Sequence, residues 1–495
     1  ELHSLEQKFL SAQQWKTDYR ENAKWERYLS CDGSPDPTVL QEINTFMSLW
    51  REDQNEDIQL VMEKGEHVLN LIEKLQFLLL DTPPNEITEK ETLQYQESIL
   101  ELQNLLHQKY NGATEHLLKH QVNSCCSVIY LFLLGRDPLM QENANEKEEA
   151  LPGENIVDLQ QFVPVGGVYH ISALQLPPQA KKIKDWNMVE LLDVGLEAYT
   201  YPPEEAEDAT HPPIQITLRL SDDVMYFKDP VIARWDPAGQ QWRTDGISNI
   251  TYKTQEKSIT FEMDTFYTVA LLQDVHCNML YQAWELRPTG MDEALLIVTT
   301  VFATIQIQIK GNQCMLSSVV VEEKDVLSHM TGKWISPLDL RAVLKKAGVN
   351  IFPGEHSHKY VSVNKKAPLA EDRAYQQMAL VASAFAFAWS KWNLEAGQEK
   401  VVFKVSEHLK ADSIEEKDWS LYMFNGQKAQ KLKITETSEA FSEELEDDSE
   451  FHSTLYHMLK DFASKEAMDK VEAASCLFID VVYQLLLATR VLTYS

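Results

Sequence analysis

WERYLSCDGSPDPTVLQEINTFMSLWRE, residues 25–52, joins two helix-like segments through a dense turn. Pro37 prevents the first helix from continuing, because proline lacks the amide hydrogen and clashes with the preceding turn. Thr38 has a side chain suited to capping a second helix, with Gln41 three residues later as its capping-box partner. Apolar residues then recur at offsets of three and four, at Leu40, Ile43, Phe46, Met47 and Trp50. The turn is therefore predicted to be a corner between two helices.

The same helical spacing predicts an antiparallel helical array over residues 1–135. An amphipathic stripe runs from Ile58 to Leu79. Thr88 and Glu91 then offer another capping box for the segment that follows. The corner at the DGSPDP turn is one of several in this array.

The composition changes twice after the helical array. Residues 136–161 are rich in Glu and contain two prolines, which predicts an acidic linker. Residues 162–330 contain short β-rich stretches separated by Asp, Gly and Pro, which predicts a β-sandwich. Residues 331–495 mix helical and strand periods, so we predict a C-terminal α+β domain with an acidic loop at 436–450. The predicted fold class is α+β.

Four elements are predicted in particular detail for the C-terminal domain. A helix over residues 337–347 ends at Gly348, a residue type favoured just after a helix. HKYVSV, residues 358–363, has the pattern of a strand. A long apolar helix is predicted over residues 372–392, and a final helix over residues 451–493.

Length and charge exclude several classes of protein. The chain has 495 residues and a net charge of −31, so about three or four domains are expected. A body this acidic argues against general nucleic-acid binding and against docking on anionic lipid, because both need a basic surface.

The longest apolar run, residues 125–134, is too short to span a bilayer. The six cysteines suggest a reducing compartment without a disulfide framework. Because the sequence begins at Glu1 rather than Met, we expect a longer gene product.

Sequence motifs for nucleotide binding and nucleophilic catalysis are missing. Gly332-Lys333 lacks the upstream glycine and the following Ser or Thr of a phosphate-binding loop. Val165–Val168 lacks GxGxxG spacing. No GxSxG occurs, and no cysteine has a recognised catalytic context. We therefore predict no cofactor and no small-molecule substrate, and an enzyme with an unrecognised site is the less favoured alternative.

Two histidine pairs are the best metal-ligand candidates, and both are weak. His116 and His120 stand four residues apart, near Cys125 and Cys126, and His356 and His358 form the second pair. Zinc needs about four converging ligands, and neither pair has a CxxC partner or a HExxH glutamate. Surface or capping histidines are favoured over a metal site.

Two further features have an ordinary and a functional interpretation. ETSEAFSEELEDDSE, residues 436–450, has eight carboxylates and no base. A solvated mobile loop is favoured, and a docking strip for a basic partner is the alternative. Trp15, Trp25 and Trp50 lie on helices, where core packing is favoured over a role as interface anchors.

Residues 25–52 resemble the N-terminal signature of the cancer-susceptibility-candidate-one family. This ciliary family is also described as an axonemal dynein intermediate chain, and its members are associated with the two-headed inner dynein arm. The shared elements are Trp25, Tyr28, Cys31-Asp32-Gly33, Pro35-Asp36-Pro37, Glu42-Ile43-Asn44 and Leu49-Trp50. The resemblance covers most of the chain, although the charged Glu/Lys-rich start usual in the family is largely missing.

The resemblance implies a non-catalytic subunit of the axoneme of cilia and flagella. Its implied partners are axonemal dynein heavy and intermediate chains and α/β-tubulin, and its implied role is in motility. The alternatives are a soluble dynein assembly factor or a cytosolic scaffold. WD-type repeats, found in better-known dynein intermediate chains, are missing from this sequence.

Residues 214–273 resemble the last strands of a ZU5- or GAIN-type β-sandwich. Self-cleaving members carry a His-Leu-Ser/Thr site before the final strand, where this sequence has Met263–Thr268. Because the general-base histidine is absent, no self-cleavage is expected. The cytosolic scaffold considered above belongs to this ZU5-like class.

Candidate interface residues follow from the signature and from charge. The signature contributes Trp25, Tyr28, Asp32, Pro35, Pro37 and Trp50. Tubulin surfaces are acidic, so a body of charge −31 is expected to contact them through a local basic patch or through an N-terminal extension of the chain. The basic candidates are Lys181, Lys182, Lys184, Lys365 and Lys366.

Overall fold

A computed structural model describes most of the chain, and it divides into two compact units. The described residues are 2–30, 34–54, 57–82, 87–120, 155–173, 181–188, 199–202, 211–409 and 414–495. We call one unit the large-sheet unit, which comprises Glu1–Ala23, Asp222–Phe227 and Asp274–Ser495. We call the other the small-sheet unit, which comprises Lys24–Ser221 and Lys228–Gln273.

Helices form the N-terminal part of the chain, as predicted. They are α1 (Leu2–Ser30), α2 (Leu40–Glu52), α3 (Ile58–Asp81) and α4 (Glu89–His120). Helices α2, α3 and α4 share one apolar core in the small-sheet unit, built from residues such as Ile43, Val68, Leu75, Ile99 and Leu102. These side chains recur at helical spacing, so burying one face of each helix supplies the main stabilisation.

The first part of α1 packs within the large-sheet unit rather than with the other helices. Leu5 is buried in the large-sheet core, and the Phe9 ring lies 5.4 Å from that of Tyr483. Lys16 forms an ion pair of 2.5 Å with Asp480. The predicted helical region 1–135 is thus divided between the two units, with the boundary after Ala23.

One predicted capping box is confirmed and the other is wrong. The Thr88 amide donates to Glu91 Oε2 at 2.9 Å, and the Glu91 amide donates to Thr88 Oγ1 at 3.3 Å. At the corner, α2 begins after Val39, which has no capping side chain. Thr38 does not cap α2, because its hydroxyl donates to the Asp36 carboxylate at 2.7 Å instead.

The small-sheet unit also carries the first group of strands. They are β1 (Phe162–His170), β2 (Lys181–Ile183), β3 (Trp186–Met188), β4 (Ile214–Arg219), β5 (Val231–Asp236), β6 (Gln241–Arg243), β7 (Ile247–Lys253), β8 (Ser258–Met263) and β9 (Thr268–Asp274). They form a four-stranded sheet β1-β9-β5-β6, a three-stranded sheet β4-β8-β7 and the hairpin β2-β3. The short strands predicted after residue 162 are confirmed in this unit, for example by β4, β5, β8 and β9. The likeness to a ZU5- or GAIN-type sandwich stays a prediction.

The large-sheet unit is built on one antiparallel sheet. Its strands are β10 (Ala283–Gly290), β11 (Glu293–Thr299), β12 (Thr304–Lys310), β13 (Gln313–Val321), β14 (Lys324–Val326), β15 (Phe385–Ala388), β16 (Val401–Glu407), β17 (Ser420–Phe424) and β18 (Ala429–Lys431). Its helices after α1 are α5 (Pro337–Lys346), α6 (Pro368–Val381), α7 (Leu455–Lys460), α8 (Lys465–Ala473) and α9 (Cys476–Thr489). The strand order is β14-β13-β12-β11-β10-β15-β16-β17-β18.

This sheet crosses the predicted boundary between residues 330 and 331. Strand β10 pairs with β15, with Leu286 opposite Phe387. The strands β10–β14, predicted to belong to the sandwich, therefore share a sheet with the C-terminal strands. The division lies between Gln273 and Asp274 instead.

Two long helices predicted in the C-terminal part are wrong. The segment 372–392 leaves helix α6 at Val381 and forms the interior strand β15, whose four residues are all buried. A strand buried on both faces shows no alternation, so periodicity does not separate it from a buried helix. The segment 451–493 forms α7, α8 and α9, because Ser464 and Ser475 cap new helices through their hydroxyls.

The predicted strand at residues 358–363 is also wrong, whereas the predicted helix end is confirmed. Residues Ser357–Lys359 form a 3₁₀ turn. Gly348 follows α5 with a φ of 84°, a left-handed conformation that favours glycine. Over the described ranges, no single helix has the length and apolar character to cross a bilayer, and the bent pair α8 and α9 reaches them only jointly.

Candidate partner-binding surfaces

The proline corner is fastened to the helical core. The Asp36 carboxylate accepts hydrogen bonds from the amide and hydroxyl of Thr38, at 2.8 and 2.7 Å. The Tyr95 hydroxyl of α4 donates to the Thr38 carbonyl at 3.1 Å. Pro37 is buried and Pro35 is half-buried. The corner thus has a defined conformation, while Cys31, Asp32 and Gly33 lie outside the described residues.

The aromatic residues of the signature have different environments. Trp50 is 4% exposed and belongs to the core of α2, α3 and α4. Trp25 on α1 is 67% exposed. The side chain of Tyr28 lies outside the described residues. Because Trp50 is buried, it is not accessible as an interface anchor. The exposed Trp25 remains a candidate anchor.

The first lysine cluster lies on the hairpin β2-β3. Lys181, Lys182 and Lys184 are all exposed. Across the hairpin Ile183 pairs with Trp186, and the two side chains are 52% and 75% exposed. A hairpin that combines cationic and apolar exposed side chains has the chemistry of a protein-interaction surface, since aromatic residues often anchor interfaces.

In the second lysine cluster, Lys365 and Lys366, only Lys365 is exposed. Lys366 is 5% exposed, and its ammonium donates at 2.7 Å to the carbonyl oxygens of Asn393, Gly397 and Lys400. Burial lowers the pKa of Lys366 to about 8. Lys366 is therefore a structural cation rather than a surface charge. Lys365 lines an open depression of about 430 Å³ beside Leu394 and Gly397.

A serine, a histidine and an aspartate meet in the large-sheet unit, in an arrangement that the sequence motifs did not indicate. His276 Nε2 lies 3.1 Å from Ser357 Oγ, and His276 Nδ1 lies 3.3 Å from Asp274 Oδ1. These residue types form catalytic triads in hydrolases. Here, however, Ser357 is 3% exposed, and its hydroxyl also accepts the Gly354 amide at 2.8 Å. The hydroxyl is therefore turned away from solvent, and the three residues join the segment Asp274–His276 to the turn at Gly354–Ser357.

Metal-ligating side chains do not cluster in the part of the chain that the structure describes, where no group of three or more His, Cys, Asp or Glu converges. His358 Nδ1 lies 2.9 Å from the carbonyl of Glu355, so it closes a turn. The side chain of His120 and both Cys125 and Cys126 lie outside the described residues. Cys277, Cys314 and Cys476 are free thiols.

The acidic run at residues 436–450 is folded against the large sheet. Phe441 packs with the apolar cluster around Trp392, and Glu443 forms an ion pair of 2.6 Å with Lys400. The run is solvated, as predicted, since its residues are half-buried or exposed, but these contacts hold it against the sheet, so the prediction of a free, mobile loop is wrong. The spacing of the carboxylates in the sequence does not predict that the folded sheet places lysines beside this run.

Known proteins resemble the chain over its whole length. Residues 1–125 match the family model described as the cancer susceptibility candidate 1 N-terminus. The chain is 41% identical to the Homo sapiens protein named dynein axonemal intermediate chain 7, with 100% of the chain and 90% of the relative covered. The Danio rerio protein of that name is 35% identical, with 100% and 89% covered. A homolog from Ciona intestinalis is 28% identical, with 90% and 84% covered. The likeness thus extends far beyond the helices that the family model covers.

Proposed function

Because this chain belongs to the dynein axonemal intermediate chain 7 family, we propose that it is an axonemal dynein-associated subunit of cilia and flagella. It is non-catalytic and helps to assemble or anchor an inner dynein arm on doublet microtubules. Its partners are axonemal dynein heavy and intermediate chains and α/β-tubulin. The observation that carries this proposal is the 41% identity over 100% of the chain.

The hairpin β2-β3 is the surface that we assign to tubulin. Its three lysines suit an acidic partner, and a body of net charge −31 otherwise repels one at long range. Trp186, 75% exposed, adds apolar area of the kind found at interface centres. Lys365 is the remaining candidate from the second cluster.

The proline corner and Trp25 are assigned to contacts with dynein chains. The hydrogen bonds of Asp36 and Tyr95 support a corner that presents a defined surface. Pro37 is buried and belongs to the folded corner, so the test substitutes only the half-buried Pro35. Substituting Pro35 is expected to reduce incorporation into the arm more than it affects folding. Normal incorporation of this variant would remove the assignment.

Cross-linking mass spectrometry on isolated motile axonemes tests the proposed function. Cross-links from this chain to dynein heavy or intermediate chains, and from the hairpin lysines to tubulin, are the expected result. If the protein is missing from washed axonemes, it is a soluble assembly factor or scaffold instead, and the proposal fails.

Microtubule co-sedimentation tests the hairpin separately. The variant Lys181→Glu/Lys182→Glu/Lys184→Glu is expected to lose binding. The matched control, Lys74→Glu/Lys90→Glu/Lys253→Glu, makes the same change of charge at exposed lysines elsewhere and is expected to bind better than the hairpin variant. Equal binding by the two variants would mean that the hairpin is not the tubulin contact.

A further inference from the structure

The acidic run lies along an edge of the large sheet and over several lysines. We call residues 436–450 the acidic arm. We call the surface beneath it the arm groove, formed by strand β18, Leu432, Trp392, Lys391, Lys400 and Lys433. Strand β18 stands at the end of the strand order, so its outer edge needs protection.

The arm protects this edge through backbone pairing. Leu432, just after β18, faces Leu445 of the arm in an antiparallel bridge. The Lys433 amide donates to the Glu444 carbonyl at 3.0 Å, and the Glu446 amide donates to the Lys431 carbonyl at 3.1 Å. The arm therefore extends the sheet at Lys431–Lys433 as an added strand does, whereas Ala429 at the other end of β18 pairs with His452. An extended peptide that replaces the arm can make the same backbone pairing.

Charge complementarity adds selectivity to this pairing. The nitrogen–oxygen distances are 2.6, 2.6 and 3.0 Å for the pairs Lys400–Glu443, Lys431–Glu446 and Lys433–Asp447. A strip of lysines stands out on a chain of net charge −31. Without the arm, it would attract an acidic peptide and repel a basic one.

An aromatic anchor fixes the register of the arm. The rings of Phe441 and Trp392 lie 6.1 Å apart, and Trp392 Nε1 donates at 2.9 Å to the carbonyl of Thr435, the residue just before the arm. The Gln430 side chain donates to the Glu443 carbonyl at 2.8 Å. The groove thus accepts an aromatic residue, an aliphatic residue four positions later, and carboxylates between and after them.

We propose that the arm groove is a docking site for an acidic, extended segment of a partner protein. The chain's own arm occupies the groove in the absence of that partner and must be displaced. Displacement is feasible because two of the three carboxylates face solvent: the side chains of Glu443 and Asp447 are 47% and 80% exposed, whereas the Lys431–Glu446 pair is more enclosed, with Lys431 only 14% exposed. Exposed pairs are individually weak and are screened by salt.

The tether keeps the arm in place in the wild-type chain. Because the arm is covalently attached, its effective concentration at the groove is in the range of ~1 mM or above. A free peptide therefore binds the wild type weakly. A substitution that weakens the arm raises the affinity for a competing peptide without changing the groove.

Fluorescence anisotropy with a labelled peptide of residues 436–450 tests this proposal on the full chain. The variant Phe441→Ala/Glu443→Gln/Glu446→Gln is expected to bind the peptide at least about tenfold more tightly than the wild type. A control peptide with Gln at 443 and 446 and Asn at 447 is expected to bind more weakly. Raising the salt concentration is expected to weaken the acidic peptide's binding and to affect the control peptide less.

A disulfide lock provides a second test that does not depend on the weakened variant. The bonds around Leu432 and Leu445 make them a non-hydrogen-bonded pair, whose Cα atoms typically lie ~4.5 Å apart. This spacing suits a disulfide. The variant Leu432→Cys/Leu445→Cys is expected to bind the peptide when its thiols are reduced. It is expected not to bind the peptide once the disulfide has formed.

Three results would overturn the proposal. The first is no peptide binding by a weakened variant that keeps wild-type hydrogen-exchange protection in β16 and β17. The second is equal binding of the acidic and control peptides. The third is a stable dimer of the weakened variant in light scattering, which would make a second copy of this chain the occupant. If the weakened variant unfolds, the test is the difference in peptide binding between the reduced and oxidised forms of the cysteine variant. Equal binding by the two forms would overturn the proposal.

Discussion

The imidazole rings of His107 on α4 and His170 on β1 lie 5.0 Å apart, centroid to centroid. His170 Nδ1 also lies 2.8 Å from Thr268 Oγ1. Burial, together with the neighbouring His107, lowers the pKa of His170 to about 4, and burial lowers the pKa of His107. Both rings are therefore neutral at pH 7, and protonation of either places a charge beside the other ring.

We expect acid to loosen the contact between α4 and β1. Both folded-state pKa values lie below the unfolded value of ~6.5, so the unfolded state binds protons more readily. The stability contribution is full above pH ~6.5 and is lost as the pH falls towards 4. After discounting for the partial exposure of the rings, the loss is on the order of 1–2 kcal/mol.

Hydrogen exchange of the β1 amides between pH 7 and pH 5 measures this effect, after correction for intrinsic exchange rates. The variant His107→Gln/His170→Gln serves as the control, because it keeps polar side chains but does not titrate in this range. Equal pH dependence in the wild type and the variant would rule out the histidine pair as the cause.

Ser357 is expected to be unreactive in the native protein. Its hydroxyl is buried, lies 3.1 Å from His276 and accepts the Gly354 amide. A fluorophosphonate probe, which labels activated serines, should therefore leave Ser357 unmodified. The variant Ser357→Ala should lose about 1–3 kcal/mol of stability, because it leaves the Gly354 amide without its acceptor. Stoichiometric labelling of Ser357 would revive the enzyme hypothesis.

Alternating strands could be predicted from the sequence for a simple physical reason. In β4, Ile216 and Leu218 are buried while Gln215 and Thr217 are exposed, so the pattern follows the pleat. In β15, all four residues are buried. A segment buried on both faces has no alternation of apolar and polar residues, so its sequence predicts a helix as readily as a strand.

Polar side chains were harder to predict than apolar ones. Lys365 and Lys366 are adjacent and chemically identical, yet only Lys366 is enclosed by carbonyl oxygens. Those oxygens come from Asn393, Gly397 and Lys400, which are distant in sequence. Likewise, the lysines beneath the acidic arm come from different strands and loops, so no local pattern indicates the pairing.

The two adjacent lysines give a matched pair of stability predictions. Lys366→Met removes three hydrogen bonds of 2.7 Å and leaves buried carbonyls unsatisfied. A loss of about 2–4 kcal/mol is expected. Lys365→Met changes a side chain at the rim of a depression, so a change within about 0.5 kcal/mol is expected. Urea denaturation of the two variants measures the difference. Equal destabilisation would contradict the assignment of Lys366 as the structural cation.

Trp50 and Trp25 separate folding from binding within the signature segment. Trp50→Ala removes a side chain that is 4% exposed and is expected to lose about 3–5 kcal/mol of stability. Trp25→Ala, at 67% exposure, is expected to stay within about 0.5 kcal/mol of the wild type. As an interface anchor, Trp25 contributes to binding rather than to folding. Trp25→Ala is therefore expected to reduce co-purification with dynein chains from axonemal extracts by at least about tenfold. A Trp25→Ala protein that is as stable and as well incorporated as the wild type would show that α1 contacts its partner elsewhere.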